Sequence, residues 1–310
     1  MPSTILVPID TSPLSELAAR KAAVLARSTG ATVHLVLVYE SPFPAFDGGQ
    51  LLDAGFLAVD RAQYERQLRR IADDLASRFD CRCDFVVLAG TPADAIAKHA
   101  RDEGANLIVM STHGRTGVSR AWFGSVADAL ARQSPLPVLM VRAPDRDLTA
   151  RQPDSDPAFG RVMIALDGSD TAECALAHLD AARITGQADE RLVEIVQPVP
   201  LPLVGYAEAG LVATMAPDLE ATRQLQKETE VYLNGIARRR ERAGARKVET
   251  LACVAPNVAP AIVAIAREWN ADLVAITSHG RGASRLVMGS VADKILRGTH
   301  ASVLFSRPAG

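Results

Sequence analysis

Apolar positions alternate along the chain between two periods, and the alternation predicts an α/β fold. Ile5, Leu6, Val7 and Ile9 make residues 4–9 a strand. Leu14, Leu17, Ala18, Ala22 and Leu25 then recur at helical spacing, from Pro13 as first helical residue to a stop at Gly30. Ser12 is placed to cap that helix. Residues 32–39 read as the next strand, and 41–54 as a loop containing Phe43-Pro44-Ala45-Phe46. A long helix runs to about Phe79, and residues 83–89 form a third strand. Gly90-Thr91-Pro92 opens another helix with Thr91 as cap, Leu107–Met110 is a continuous apolar strand, a helix starts at Ser125, and Pro137–Val141 closes the series.

The series is then written again. Ile5–Asp10 followed by Thr11-Ser12 matches Val162–Asp167 followed by Gly168-Ser169, each an apolar run closed by Asp-x-Ser. Leu107–Arg115 matches Leu273–Arg281, and Gly124-Ser125-Val126-Ala127-Asp128 is identical to Gly289-Ser290-Val291-Ala292-Asp293. Asp10 and Asp167 lie 157 residues apart, Gly114 and Gly280 166, and Gly124 and Gly289 165. The second copy thus gains nine residues before the glycine loop and loses one inside it, and one order at so similar a spacing means a duplicated domain, in units too long for a solenoid. The proline-punctuated polar stretch between the copies reads as a linker, giving domains at 1–144 and 159–310 with 145–158 between them. Strands alternating with helices predict two tandem doubly wound domains, each with a parallel sheet and right-handed crossovers. The second copy differs in a longer loop, Pro198–Pro217, which carries Leu201-Pro202-Leu203-Val204, and in a helix ending near Arg242.

Composition narrows the function without naming it. The chain has 310 residues, 48% hydrophobic and 23% charged, with a formal net charge of −2, which fits a globular protein. That balance and 5% aromatic residues give no basic excess or stacking platform for nucleic acid. No apolar stretch is long enough for a membrane helix, and Met1–Asp10 lacks the basic start of a signal peptide. Cys81, Cys83, Cys174 and Cys253 form neither a disulfide framework nor paired metal knuckles. The expectation is a cytoplasmic protein with reduced thiols, no metal site and no membrane or nucleic-acid partner.

The candidate chemistry lies where strands end. Open parallel sheets bind ligands beyond the carboxyl ends of strands where strand order reverses. Asp10 follows the first strand and the Ser111–Ser125 loop follows the fourth, so both converge on one crevice if those strands are neighbours. Glycine permits close backbone approach to phosphate, and a helix starting at Gly124-Ser125 offers free N–H groups to an anion. Arg115 supplies a cation, and Asp10 accepts hydrogen bonds from ribose or adenine. The plainer alternatives stay open: Ser125 as a mere cap, Asp10 as a cap of the first helix, and the glycines as turn residues. His113 and His279 match across the copies but have no evident acid or nucleophile partner in sequence, so no catalytic residue is assigned.

On these motifs the whole chain resembles a tandem universal stress protein. The family pattern G-x2-G-x9-G-[S/T] is approached by Ser111-x2-Gly114-x9-Gly124-Ser125 and by Thr277-x2-Gly280-x8-Gly289-Ser290. The Asp-x-Ser segments and Gly90-Thr91-Pro92-Ala93 are also similar to the family. The resemblance implies five-stranded sheets of order 3-2-1-4-5 flanked by helices, and ATP, with Mg2+, as ligand. It implies a first site at Pro8, Ile9, Asp10, Ser12, Val38, Met110, Ser111, Gly114, Arg115, Gly124, Ser125 and Val126. A weaker second site is implied at Ala165, Leu166, Asp167, Val196, Ile276, Thr277, Gly280, Arg281, Gly289, Ser290 and Val291. It also implies that fifth strands pair, Val138–Val141 against Val303–Ser306, as a pseudo-dimer within one chain, with a homodimer and an unidentified protein partner as further expectations.

Both copies depart from the pattern. Ser111 and Thr277 stand where the family has its first glycine, and the second loop is one residue short, up to ~3.5 Å of chain. Three readings follow: a nucleotide-binding stress-response regulator acting by conformational or partner change, a nucleotide-free scaffold, and a slow ATPase. No Walker motif is present and no lysine lies in either glycine loop, which weighs against turnover. The intact nine-residue spacing favours the first half as the better nucleotide binder.

Overall fold

A computed structural model describes residues 3–39, 54–112, 124–142, 158–207, 210–277 and 289–307, with side chains described outside 54–60 and 202–215. The first copy runs β1 (Thr4–Pro8), α1 (Pro13–Thr29), β2 (Thr32–Tyr39), α2 (Ala54–Phe79), β3 (Arg82–Ala89), α3 (Pro92–Asp102), β4 (Leu107–Ser111), α4 (Ser125–Gln133) and β5 (Val138–Val141). The second runs β6 (Arg161–Leu166), α5 (Asp170–Ala181), β7 (Asp189–Val196), β8 (Val199–Ala207), β9 (Gly210–Asp218), α6 (Leu219–Arg242), β10 (Lys247–Val254), α7 (Val258–Glu268), β11 (Leu273–Thr277), α8 (Ser290–Gly298) and β12 (Ser302–Ser306). Phe43–Phe46 and nearly all of the linker fall outside the described residues, while Ala158, at the linker's end, is buried.

Local signals explain most boundaries. The Ser12 hydroxyl caps α1 by accepting the Ser15 N–H at 3.2 Å, and Gly30 ends it in the left-handed conformation at φ 72°. Thr91 occupies the cap position of α3 but its side chain makes no capping bond, so Pro92, which needs no N–H partner, carries that start. One expectation is corrected. The Pro198–Pro217 segment is a β-ribbon in which β8 and β9 pair antiparallel from Val199↔Asp218 to Ala207↔Gly210. Two of its prolines sit opposite each other at Pro200↔Pro217 and Pro202 stands opposite Met215, in a two-stranded sheet where each strand has an open edge to take a missing donor.

Each copy has the order 3-2-1-4-5, and the two sheets are continuous as β10-β7-β6-β11-β12-β5-β4-β1-β2-β3. All neighbours within a copy are parallel. The joint is antiparallel, with Val303↔Met140, Leu304↔Leu139 and Phe305↔Val138. It is the pseudo-dimer contact that the family resemblance implies. It also occupies both fifth strands, so a homodimer between chains requires another surface. Leu139, Val141 and Leu304 point into one apolar layer beneath α1, α2, α5 and α6. Val138, Met140, Val303 and Phe305 point into the other, beneath α3, α4, α7 and α8. Both layers therefore run through the joint.

Polar groups flank the joint. Arg132 pairs with Asp128 on its own helix at 2.8 Å and reaches Asp293 of α8 at 3.4 Å. Arg297 mirrors it, to Asp293 at 3.0 Å and Asp128 at 3.5 Å. Arg307 donates to the Ala131 carbonyl at 3.0 Å, and Arg142 to that of Leu296. On the other layer the Lys21 ammonium donates to the Ala158 carbonyl at 2.6 Å and lies over the Phe159 ring.

The four cysteines are free, as expected, and burial pushes the Cys83 thiol up to about 12, with neighbouring Cys81 adding to the rise. Such a thiol is a packing group and not a nucleophile.

One buried charge network ties α6 to the second sheet. The Arg240 guanidinium donates to both oxygens of Glu190 at 2.9 Å, to both of Asp180 at 2.6 Å, and to the Thr185 hydroxyl at 2.9 Å. Glu190 is 0% exposed, so removing its partner strands a charge. Arg240→Ala is expected to destabilise the second half by about 3–5 kcal/mol, read as a lowered denaturant midpoint; a loss below about 1 kcal/mol would contradict the assignment.

His178 on α5 gives a pH prediction. Its Nδ1 is buried without a hydrogen-bond partner among the described residues, and burial holds its imidazole below the ordinary 6.5. The unfolded chain takes up that proton first, so the contribution is present above about pH 6.5 and lost as pH falls through the folded value. His178→Gln is expected to flatten the acid limb of the stability profile; an unchanged slope in pH-dependent melts would refute this.

Candidate functional site

Strand order reverses between β1 and β4, and again between β6 and β11. A parallel sheet sends its β1 crossover to one face and its β4 crossover to the other, leaving a crevice at their carboxyl ends. In the first copy that crevice is a cavity of about 250 Å³. Pro8, Ile9 and Asp10 line it from the end of β1, Val38 from β2, and Met110 and Ser111 from β4. Gly124, Ser125 and Val126 close it from the start of α4. Val36, Pro92 and Ile96 also line it. Val36 was legible as the residue two before Val38 on the same strand face, and Pro92 and Ile96 follow from the turn that starts α3.

The cavity's polar end is the N-terminus of α4. Gly124 is the cap residue and makes no side-chain capping bond, while its N–H is tied to the Thr112 carbonyl at 3.0 Å. The first N–H groups of α4 thus lack a side-chain cap and sit against the cavity, the arrangement that favours an anion. Ser125 is exposed and is not the cap, so its hydroxyl is available to a ligand. Asp10 does not cap α1 either. Its carboxylate accepts the Ser12 N–H at 3.0 Å, which holds it at the cavity edge. Ser12 is the exception among the predicted residues. It is buried, commits its hydroxyl to α1 and does not line the cavity. Gly114 and Arg115 lie outside the described residues.

The second copy repeats the plan in a cavity of about 530 Å³. Ala165, Leu166, Asp167, Val196, Ile276, Thr277, Gly289, Ser290 and Val291 all line it, and Gly280 and Arg281 lie outside the described residues. Register fixes how the copies correspond. Pro8 pairs with Val36 and Ala165 with Val193, so Ile195 occupies the place of Val38, and the expected Val196 lines the cavity next to it. Glu194 then stands where Leu37 is buried in the first copy. With Leu225 and Thr229 of α6 it extends the second cavity toward the α5–α6 layer. The region is acidic: burial pushes the Tyr232 hydroxyl up, and Glu173, Glu194 and Asp167 push it further. Periodicity alone hid Glu194, since a single acid in Leu192–Val196 looks like an exposed strand position.

A family model described as the universal stress protein family matches residues 1–142 and again 158–307. The chain belongs to the universal stress protein family. A universal stress protein of Methanocaldococcus jannaschii is 31% identical over 147 residues, 46% of this chain and 84% of that protein. One of Thermus aquaticus is 34% identical over 139 residues, 45% of this chain and 98% of that protein. A Mycobacterium tuberculosis relative is 26% identical over 205 residues, 66% of this chain and 62% of its own length. Across nearly the full length, the crystal structure of an Archaeoglobus fulgidus universal stress protein shares the fold, with TM-score 0.66 at 18% identity, covering 99% of this chain and 98% of that one. The tandem arrangement of this universal stress protein is thus a fold found beyond it.

The two crevices differ in strain. The middle residue of Asp-x-Ser is left-handed in both, Thr11 at φ 66° and Gly168 at φ 74°. Glycine adopts that conformation freely, whereas a β-branched residue is strained there. Thr11→Gly is expected to stabilise the protein by about 1 kcal/mol, seen as a raised melting temperature; destabilisation would show that the threonine side chain more than repays its backbone strain.

Proposed function

We propose that this universal stress protein binds an adenine nucleotide, ATP with Mg2+, in its first crevice, and that the output is a conformational or partner change without turnover. The observation that carries the reading is the uncapped N-terminus of α4 facing Asp10 across one apolar cavity. Apolar Val36, Val38, Ile96 and Met110 suit a base, Asp10 suits the ribose hydroxyls or the amino group of adenine, and the α4 N–H groups with Ser125 suit phosphate. Mg2+ would be carried by the phosphates, since among the described residues no group of three or more metal-ligating side chains occurs.

The first crevice is the better nucleotide site in this reading. Its glycine loop keeps the nine-residue spacing, and its described lining holds one carboxylate, Asp10, where the second holds Asp167 and Glu194. A second acid opposes a polyphosphate.

Two substitutions test both statements. An aspartate is a good helix cap, so Gly124→Asp and Gly289→Asp preserve α4 and α8 while placing a negative charge where phosphate would sit. Calorimetric titration with Mg–ATP is expected to show at least about tenfold loss for Gly124→Asp and a smaller change for Gly289→Asp. Denaturing the purified protein and chromatographing what it releases identifies the nucleotide. No bound nucleotide and no heat on titration would overturn the proposal in favour of a nucleotide-free scaffold; many equivalents of phosphate released in a turnover assay would favour an ATPase.

A further inference from the structure

Away from both crevices, three titratable side chains of the first copy meet on the layer beneath α3. His34 on β2 and Asp84 on β3 are register partners, and the His34 Nδ1–H donates to the Asp84 carboxylate. The other nitrogen of that ring, Nε2, faces Nε2 of His99 on α3 at 2.8 Å. His34 is mostly buried, with its side chain 12% exposed, while Asp84 is 61% exposed, so solvent reaches the cluster from the Asp84 side.

The proton count of this arrangement is informative. With Nδ1–H given to Asp84, His34 presents a bare lone pair at Nε2. His99 must then supply the one proton lying between the two Nε2 atoms. If His99 instead carries its proton on Nδ1, two lone pairs converge on the same point. A carboxylate on the far nitrogen of a ligating imidazole is the usual outer support of a transition-metal site, because it fixes the tautomer and strengthens the donor.

The second copy shows what the position looks like without that capacity. By register Arg191 stands at the place of His34 and Glu249 at that of Asp84, and they form a direct ion pair with 3.0 Å from Arg191 Nε. Ile265 replaces His99, each being the residue whose carbonyl accepts the N–H just past its helix end, and Arg191 stacks on Trp269 at 4.7 Å. A permanent cation and an aliphatic residue satisfy the same packing. Two histidines are therefore not required by the fold at this point.

We propose that His34 and His99 form a two-histidine site for a divalent transition metal such as Zn2+, with Asp84 as its outer-shell support. At Zn–N lengths of 2.0–2.1 Å a tetrahedral ion needs its two nitrogens about 3.3 Å apart, an opening of roughly 0.5 Å from the metal-free contact. The proton between the rings moves through solvent to Nδ1 of His99, so no net proton need be lost when both rings start neutral. Among the described residues no third ligating side chain joins them, and water completes the coordination. The site is thus an open one, suited to reversible binding.

Zinc alone, titrated into the full chain against a chromophoric chelator at about pH 7.5 where imidazoles are neutral, tests this. The wild type is expected to hold one zinc equivalent that His99→Ile loses. Isoleucine is what the second copy uses, so the variant should keep its fold, with circular dichroism as the check; His99→Gln serves with the same readout if it does not. Asp84→Asn, at an exposed position, is expected to weaken that equivalent about 10–100-fold. The ring resonances of His34 and His99 should shift together on zinc addition. Equal zinc stoichiometry and affinity in wild type and His99→Ile, or unmoved rings, would overturn the site and leave the pair a structural hydrogen bond.

Discussion

Two five-stranded parallel sheets cannot each leave an apolar fifth strand exposed to water, and the molecule is organised around that constraint. β5 reads Val-Leu-Met-Val and β12 reads Ser-Val-Leu-Phe-Ser, buried at every position. Alone, either would be an edge with unpaired backbone and apolar side chains on both faces, a template for aggregation. Pairing them antiparallel satisfies both sets of backbone groups and makes each apolar layer continuous. The same joint sets α4 beside α8, and thereby brings the two helices whose N-termini close the crevices into contact. The quartet of Asp128, Arg132, Asp293 and Arg297 sits one to two turns behind those N-termini. These half-exposed charges add orientation more than energy, since exposed pairs are worth at most about 1 kcal/mol.

From the joint outward, each layer has a distinct task. The α3–α4 and α7–α8 layer carries the helix starts that close the crevices, and the opposite layer carries the long helices that cover the sheet. The first crevice opens onto its side of the sheet through Val36, Val38 and Ile96, and is compact. The second also reaches the other layer through Glu194 and α6, and is about twice the volume. Volume and charge therefore pull apart: the roomier cavity is the more acidic one. For a polyanion in an apolar cleft, the sign of the lining decides before the space does, because Coulomb energies grow as water is excluded.

Much of this was legible from residues. The duplication follows from Asp-x-Ser, the glycine loops and the apolar runs, while the strand order, the joint between fifth strands and most of both crevice linings came with the family resemblance that those motifs carry. The parts that were not legible share a cause: they depend on which residues meet across elements. The prolines of Pro198–Pro217 argue against a central strand, and only the structure shows a two-stranded ribbon that accommodates them. Ile195, the counterpart of Val38, also lines the second cavity but went unnamed, because strand register, set by pairing with β6, is invisible to spacing. Ser12 was read both as a cap and as a site residue, and hydrogen bonding assigns it to the cap. His34 and His99 lie 65 residues apart with no motif between them, so scanning for ligand spacings passes over them.

Duplication makes each copy a control for the other, and the pattern of differences separates constraint from freedom. Gly124–Asp128 and Gly289–Asp293 are identical, and they combine the helix start at the crevice with the aspartate at the joint. Arg132 and Arg297 repeat one turn further on. Away from that segment the copies diverge by chemistry rather than by shape. Thr11 corresponds to Gly168, both left-handed, Leu37 corresponds to Glu194 at the same register, and His34 with Asp84 corresponds to Arg191 with Glu249. A backbone that accepts a leucine or a glutamate at one strand position does not dictate that residue by packing. The two surroundings are accordingly unlike: a compact crevice with one lining carboxylate and a histidine pair behind α3, against a larger one with two carboxylates and a fixed ion pair behind α7.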